Sequence, residues 1–205
     1  MNDDGQHEEL QVLRSEGTPG LAAVFSRYRE RFRKMVRFRL DQRLWGRVDT
    51  DDVLQEAYLE AARRVSDYLE DPAVPAFVWL RRMTEQAIIK VHRQHLGAKM
   101  RDASLELAFH DRQISHATSV SLAAVLAANY TSPSEAAVRE ETAEELRAAF
   151  DAMDPIDREV LALRHFEELS NNEVAAVLRI QKAAASNRYV RALKRLERIL
   201  ARISS

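Results

Sequence analysis

The chain has 205 residues, of which 46% are apolar, enough to build one or two compact domains. Its 5 Gly and 5 Pro are too few for a strand-rich fold with many tight turns, so an all-α fold is expected. The lack of Cys excludes disulfide frameworks, thiol chemistry and Cys-based zinc sites. No run of about 18 apolar residues occurs, and MNDDGQHEEL is acidic where a secretory leader starts basic, so a cytoplasmic protein without membrane insertion is expected.

The net charge of -1 hides strong segregation along the chain. Basic residues dominate from Arg27 to Arg47, acidic ones from Val48 to Pro72, and basic ones again from Trp79 to Arg101 and from Arg179 to Arg198. Such alternation suits a protein that meets a polyanion at some surfaces and a basic protein partner at others.

Residues 1–19 read as a polar tail. A helix is predicted from Leu21 to Leu40, with Ala22, Phe25, Phe32, Val36 and Leu40 on its apolar side. Thr50 is a candidate cap for a second helix, whose apolar stripe is Val53, Leu54, Ala57, Tyr58, Ala61, Ala62 and Val65. Its polar face carries Asp51, Asp52, Gln55, Glu56 and Glu60; with no His in the segment, it suits docking of a basic protein helix better than catalysis or metal binding. A third helix starts near Pro75 and ends in a basic turn. Trp79 continues its apolar spacing as a core anchor, while Lys90, His92 and Arg93 are candidate contacts to an opened nucleic-acid strand. His92 and His95 lack nearby carboxylates, so no metal site is expected.

Residues 97–132 read as a linker with a short helix in SLAAVLAANY. Ser132-Pro133-Ser134-Glu135, Asp154-Pro155-Ile156-Asp157 and Ser170-Asn171-Asn172-Glu173 are three helix starts, each with a capping side chain followed by Pro or an acid. The last opens a short helix, closed by the turn Arg179-Ile180-Gln181 before a long helix from Lys182 to Leu200. That pair has the lengths of a helix-turn-helix, whose second helix enters the major groove. Arg188, Arg191, Arg195 and Arg198 form one strip on it, and Lys182, Ser186 and Asn187 near its start suit contacts to base edges.

At these residues the sequence resembles the sigma-70 family of RNA polymerase initiation factors, of the small extracytoplasmic-function (ECF) type. Asp51-Asp52-Val53-Leu54-Gln55-Glu56-Ala57-Tyr58 resembles the family's acidic helix, and Phe77-Val78-Trp79-Leu80-Arg81-Arg82-Met83 leading to His92-Arg93 resembles the helix that reads the downstream promoter element. Met153–Arg164 resembles the start of the C-terminal domain, and Asn172–Leu178 with Asn187-Arg188 and Arg191–Leu196 resembles its helix-turn-helix. The resemblance implies two small helical domains, a region 2-like one at 20–96 and a region 4-like one at 133–205, with no catalytic residue and no cofactor. It implies that Asp51, Asp52, Gln55 and Glu56 dock on core RNA polymerase, and that the C-terminal domain packs on the polymerase flap. Arg82, Lys90, His92 and Arg93 would meet the downstream promoter DNA; Lys182, Ser186, Asn187, Arg188 and Arg191 would meet the upstream element. An anti-sigma factor is a further family-based partner. Two departures stand out: Arg179 where the family often has Gly, and Ala183-Ala184-Ala185-Ser186-Asn187 where it often has Gly-Thr-Val-Lys-Ser.

Overall fold

The computed structural model describes residues 3–96, 118–127 and 136–203, and all of its regular structure is helical. The chain divides into two compact units, Met1–Met100 and Arg101–Ser205.

The first unit contains α1 (Asp3–Glu16), α2 (Thr18–Arg39), a short 3-10 turn (Gln42–Leu44), α3 (Thr50–Glu70) and α4 (Ala76–Leu96). Leu21, Phe25, Tyr28, Phe32 and Val36 of α2, Leu54, Ala57 and Ala61 of α3, and Phe77, Leu80 and Ile88 of α4 form its core. Aromatic rings dominate the centre: Phe32 stacks on Phe77 at 5.6 Å between centroids, and Phe25 meets Tyr58 edge-on at 5.5 Å. Trp79 is buried as expected and stacks on Tyr68 at 4.4 Å. Ala22, expected on the apolar side of α2, faces solvent instead, and its place is taken by Leu21 and Val24. Asp49, rather than Thr50, caps α3: its carboxylate accepts the Asp51 amide at 2.8 Å, and Thr50 is already the first helical residue.

The expected polar tail folds as α1. The chain reverses at Gly17, whose φ of +60° favours glycine, and doubles back so that Leu13 is fully buried. Glu9 is buried as well; its Oε1 accepts hydrogen bonds from the Tyr28 hydroxyl and, at 3.2 Å, from Arg27. Close approach of the two helices requires Gly20, where an added Cβ would lie 2.5 Å from the Val12 carbonyl oxygen.

The second unit contains a helical segment, α5, at 118–127, followed by α6 (Ala136–Asp151), α7 (Pro155–His165), α8 (Asn171–Leu178) and α9 (Lys182–Ile203). The helix start expected at Ser132-Pro133-Ser134-Glu135 lies outside the described residues. The other two starts form as expected. The Asp154 carboxylate accepts the amides of Ile156 at 2.9 Å and Asp157 at 3.4 Å, with Pro155 in the first turn. Ser170 and Glu173 complete a reciprocal capping box. Leu146, Phe150, Val160, Leu161, Leu163, Val174, Ala185 and Ala192 build the core, to which α7 and α9 contribute along their contact.

Helix α8 stops at Arg179, which adopts the left-handed conformation with φ of +53°, and the Ile180 amide then returns to the Ala175 carbonyl at 3.0 Å. The strain of a side chain in this conformation predicts that Arg179→Gly stabilises the second unit by about 0.5–1 kcal/mol, measurable as a raised unfolding midpoint. Gly20→Ala should destabilise the first unit by about 1–3 kcal/mol in chemical denaturation, because the added methyl meets the α1 backbone; unchanged stability would contradict the α1 packing.

Candidate nucleic-acid interface

Helix α3 turns its polar residues in two directions. Asp51, Asp52 and Gln55 line a surface hollow of about 320 Å³ together with Phe25, Arg29 and Tyr58. Asp51 accepts hydrogen bonds from Arg33 at 2.6 Å and Arg29 at 3.2 Å, and these guanidinium groups, Arg33 foremost, hold its carboxyl below the usual carboxylate range. Asp52 and Gln55 are exposed at the rim. Glu56 points away from them toward α4, where Lys90 donates to it at 2.6 Å and lowers its pKa. The four expected docking residues are therefore not one cluster.

On α4, Arg82, Lys90 and Arg93 recur at helical spacing on one side, with Arg82 half-buried and the other two exposed. His92 faces the opposite way and is 1% exposed, and its Nε2 accepts the Asp41 backbone N–H at 3.1 Å. The expectation that His92 contacts DNA is corrected accordingly. Its imidazole fixes the corner between α2 and α3 against the last turns of α4.

Helices α8 and α9 form the helix-turn-helix, and Asn171 Nδ2 ties their first turns together by donating to the Lys182 carbonyl at 3.0 Å. Lys182, Ser186 and Asn187 are exposed on the outer side of α9. The arginine strip has a different primary partner. Asp157, near the start of α7 and only 5% exposed, accepts from Arg191 Nε and a terminal nitrogen at 2.7 Å each, and from Arg188 at 2.9 Å. Arg188 also reaches Asp154 at 3.4 Å, and Arg195 donates to the Ala152 carbonyl at 2.8 Å. Arg191 first, then Arg188, depresses the Asp157 pKa, against an opposing effect of burial. Arg191 keeps 59% of its side chain exposed and Arg188 26%, so Arg191 retains the larger outward surface. Tyr189 meets His165 Nε2 at 3.1 Å, and burial pushes the His165 pKa down.

Residues 143–196, from α6 to the middle of α9, match the family of sigma-70 region 4. Over these residues the chain carries a sigma-70 region 4 domain. No curated protein matches it. Region 4 is a transcription-factor domain rather than a catalytic one, and it is the part of a sigma factor that serves promoter binding. The match includes both Asp157 and the arginines it holds. It also includes Arg179, whose left-handed backbone is a turn conformation that favours glycine. Among the described residues, no helix is long and apolar enough to cross a membrane, and no group of three or more His, Asp or Glu is placed to hold a metal ion.

Sequence reasoning missed Asp157 as the partner of the strip, because it precedes Arg188 and Arg191 by 31 and 34 positions. It also missed Phe25 and Tyr58 as walls of the hollow, having assigned both to the core. Arg63 and Arg64, in the groove beyond Glu56, were detectable as cations one turn after Glu60.

Asp157→Asn should lower the stability of the sigma-70 region 4 domain by about 1–2 kcal/mol at pH 7 in chemical denaturation, since it removes the ionic hydrogen bonds but leaves two solvated arginines. Because the folded-state pKa of Asp157 is depressed, its contribution is present above the unfolded value of 3.8 and is lost as pH falls through the lower folded value. Wild type and variant should converge in that acid range.

Proposed function

We propose that the chain is a cytoplasmic initiation factor of the ECF type, without catalysis of its own, which binds core RNA polymerase, directs it to specific promoters and assists their opening. The observation that carries this is the region 4 match over a helix-turn-helix whose second helix exposes Lys182, Ser186 and Asn187. In this reading Lys182 and Arg191 meet phosphates or guanine, Ser186 and Asn187 meet base edges, and Arg188 acts mainly to hold α9. The first unit serves as the region 2-like domain from about residue 20. Its hollow, with Asp52 and Gln55 at the rim and the aromatic edges of Phe25 and Tyr58 behind them, suits a basic segment of the polymerase. Arg82, Lys90 and Arg93 face the opened downstream element, and His92 supports them from the core side. An anti-sigma factor would act by covering these same surfaces.

The double variant Asp52→Arg, Gln55→Arg should weaken association with core polymerase at least about tenfold, equivalent to ~1.4 kcal/mol, with the circular dichroism spectrum unchanged. Unaltered association would remove the hollow from the docking surface. Ser186→Ala with Asn187→Ala should reduce promoter affinity of the holoenzyme by about 1–3 kcal/mol while leaving its salt dependence intact. Lys182→Gln should instead reduce the slope of log affinity against log salt by about 1. If none of the three positions changes promoter binding, the outer side of α9 is not the reading surface.

A further inference from the structure

The groove between α3 and α4 has about 330 Å³ of space and is lined by Arg63 and Arg64 of α3, Lys90 and Arg93 of α4, and the carboxylates of Glu56 and Glu60. Four cations thus face two acids. Both acids hold cations: Glu56 accepts from Lys90 at 2.6 Å, and Glu60 bridges Arg63 at 3.1 Å and Arg64 at 2.5 Å. The cationic side chains keep 65% (Arg63), 50% (Arg64) and 53% (Lys90) of their surface exposed, so these pairs are screened and easily exchanged. From Glu56 to Arg63, α3 rises by about 10 Å, against an axial rise of about 3.4 Å per phosphate along one DNA strand. The groove is long enough to follow two or three phosphates, and its charge is spread along its length rather than focused on one point.

We propose that this groove binds the phosphodiester backbone of promoter DNA, with Arg63 and Arg64 added to Lys90 and Arg93, and that Glu56 and Glu60 hold these cations until DNA displaces them. This rests on the initiation-factor reading and extends its DNA surface from α4 onto α3. A phosphodiester carries the same single negative charge as a carboxylate and can accept two N–H bonds from an arginine, and successive phosphates along the strand add their charges, so the exchange is favourable at low salt and reversible at high salt.

The test is promoter-complex formation by holoenzyme assembled with the full chain, measured over a range of salt concentrations on a promoter found by start-site mapping. Arg63→Gln with Arg64→Gln should lower the salt slope by about 2 and weaken the complex, with core association unchanged. Glu60→Gln should strengthen the complex by roughly two- to fivefold, a gain that damage to the fold does not produce. Unchanged affinity and slope in both variants, while Lys182→Gln still weakens binding, would overturn the groove assignment and leave the initiation-factor reading standing. Loss of core association in the arginine variant would overturn it by assigning these cations to a protein interface. Failure of the wild-type holoenzyme to form any promoter complex would overturn both.

Discussion

The orientation of α9 depends on the carboxylate of Asp157. Among the described residues of this helix, the buried ones are two alanines, Ala185 and Ala192, which permit close approach to α7 but give little apolar area to fix rotation about the helix axis. Successive side chains are about 100° apart around that axis, so a modest rotation would exchange the residues that face outward for those that face the core. Arg188 and Arg191 on Asp157, with Arg195 on the Ala152 carbonyl, set the angle. Lys182, Ser186 and Asn187 face outward as a result. A carboxylate that never needs to touch DNA thus decides which side chains are available to it.

The first unit uses the same device at lower density. Some of its cations and carboxylates are paired across helices, Asp51 with Arg29 and Arg33 and Glu56 with Lys90. Neither pair is buried, so the contribution of each to stability is small and its main effect is on which charge faces a partner. The hollow beside Asp52 and the groove beside Lys90 lie on two sides of α3, with opposite charge character. In the proposed function, one helix thereby addresses a basic protein on one side and a polyanion on the other.

Much of this was legible in the sequence. Asp154-Pro155 and Ser170 with Glu173 mark helix starts because capping is a short-range interaction between residues two or three apart. Lys182, Ser186 and Asn187 followed from the position of a helix after a short turn. Contacts made between distant elements were not legible. Residues 3–16 look like a polar tail because the interactions that hold α1 are supplied by Gly20, Arg27 and Tyr28 of the next helix. His92 reads as an exposed contact residue beside Lys90 and Arg93 until the Asp41 amide is folded against it. The arginine strip is evident from its spacing alone, but a spacing names no partner. Asp157 lay outside the pattern that revealed the strip.

The property that defines the proposed function is recruitment of polymerase to defined start sites. The direct measurement is association of the purified chain with core RNA polymerase, followed in the same preparation by initiation on a fragmented genomic library. Stable association with discrete start sites absent from core enzyme alone is the predicted result. No association at either low or physiological salt, with sequence-selective binding of duplex DNA by the chain itself, would contradict it and mark the protein as a conventional helix-turn-helix regulator.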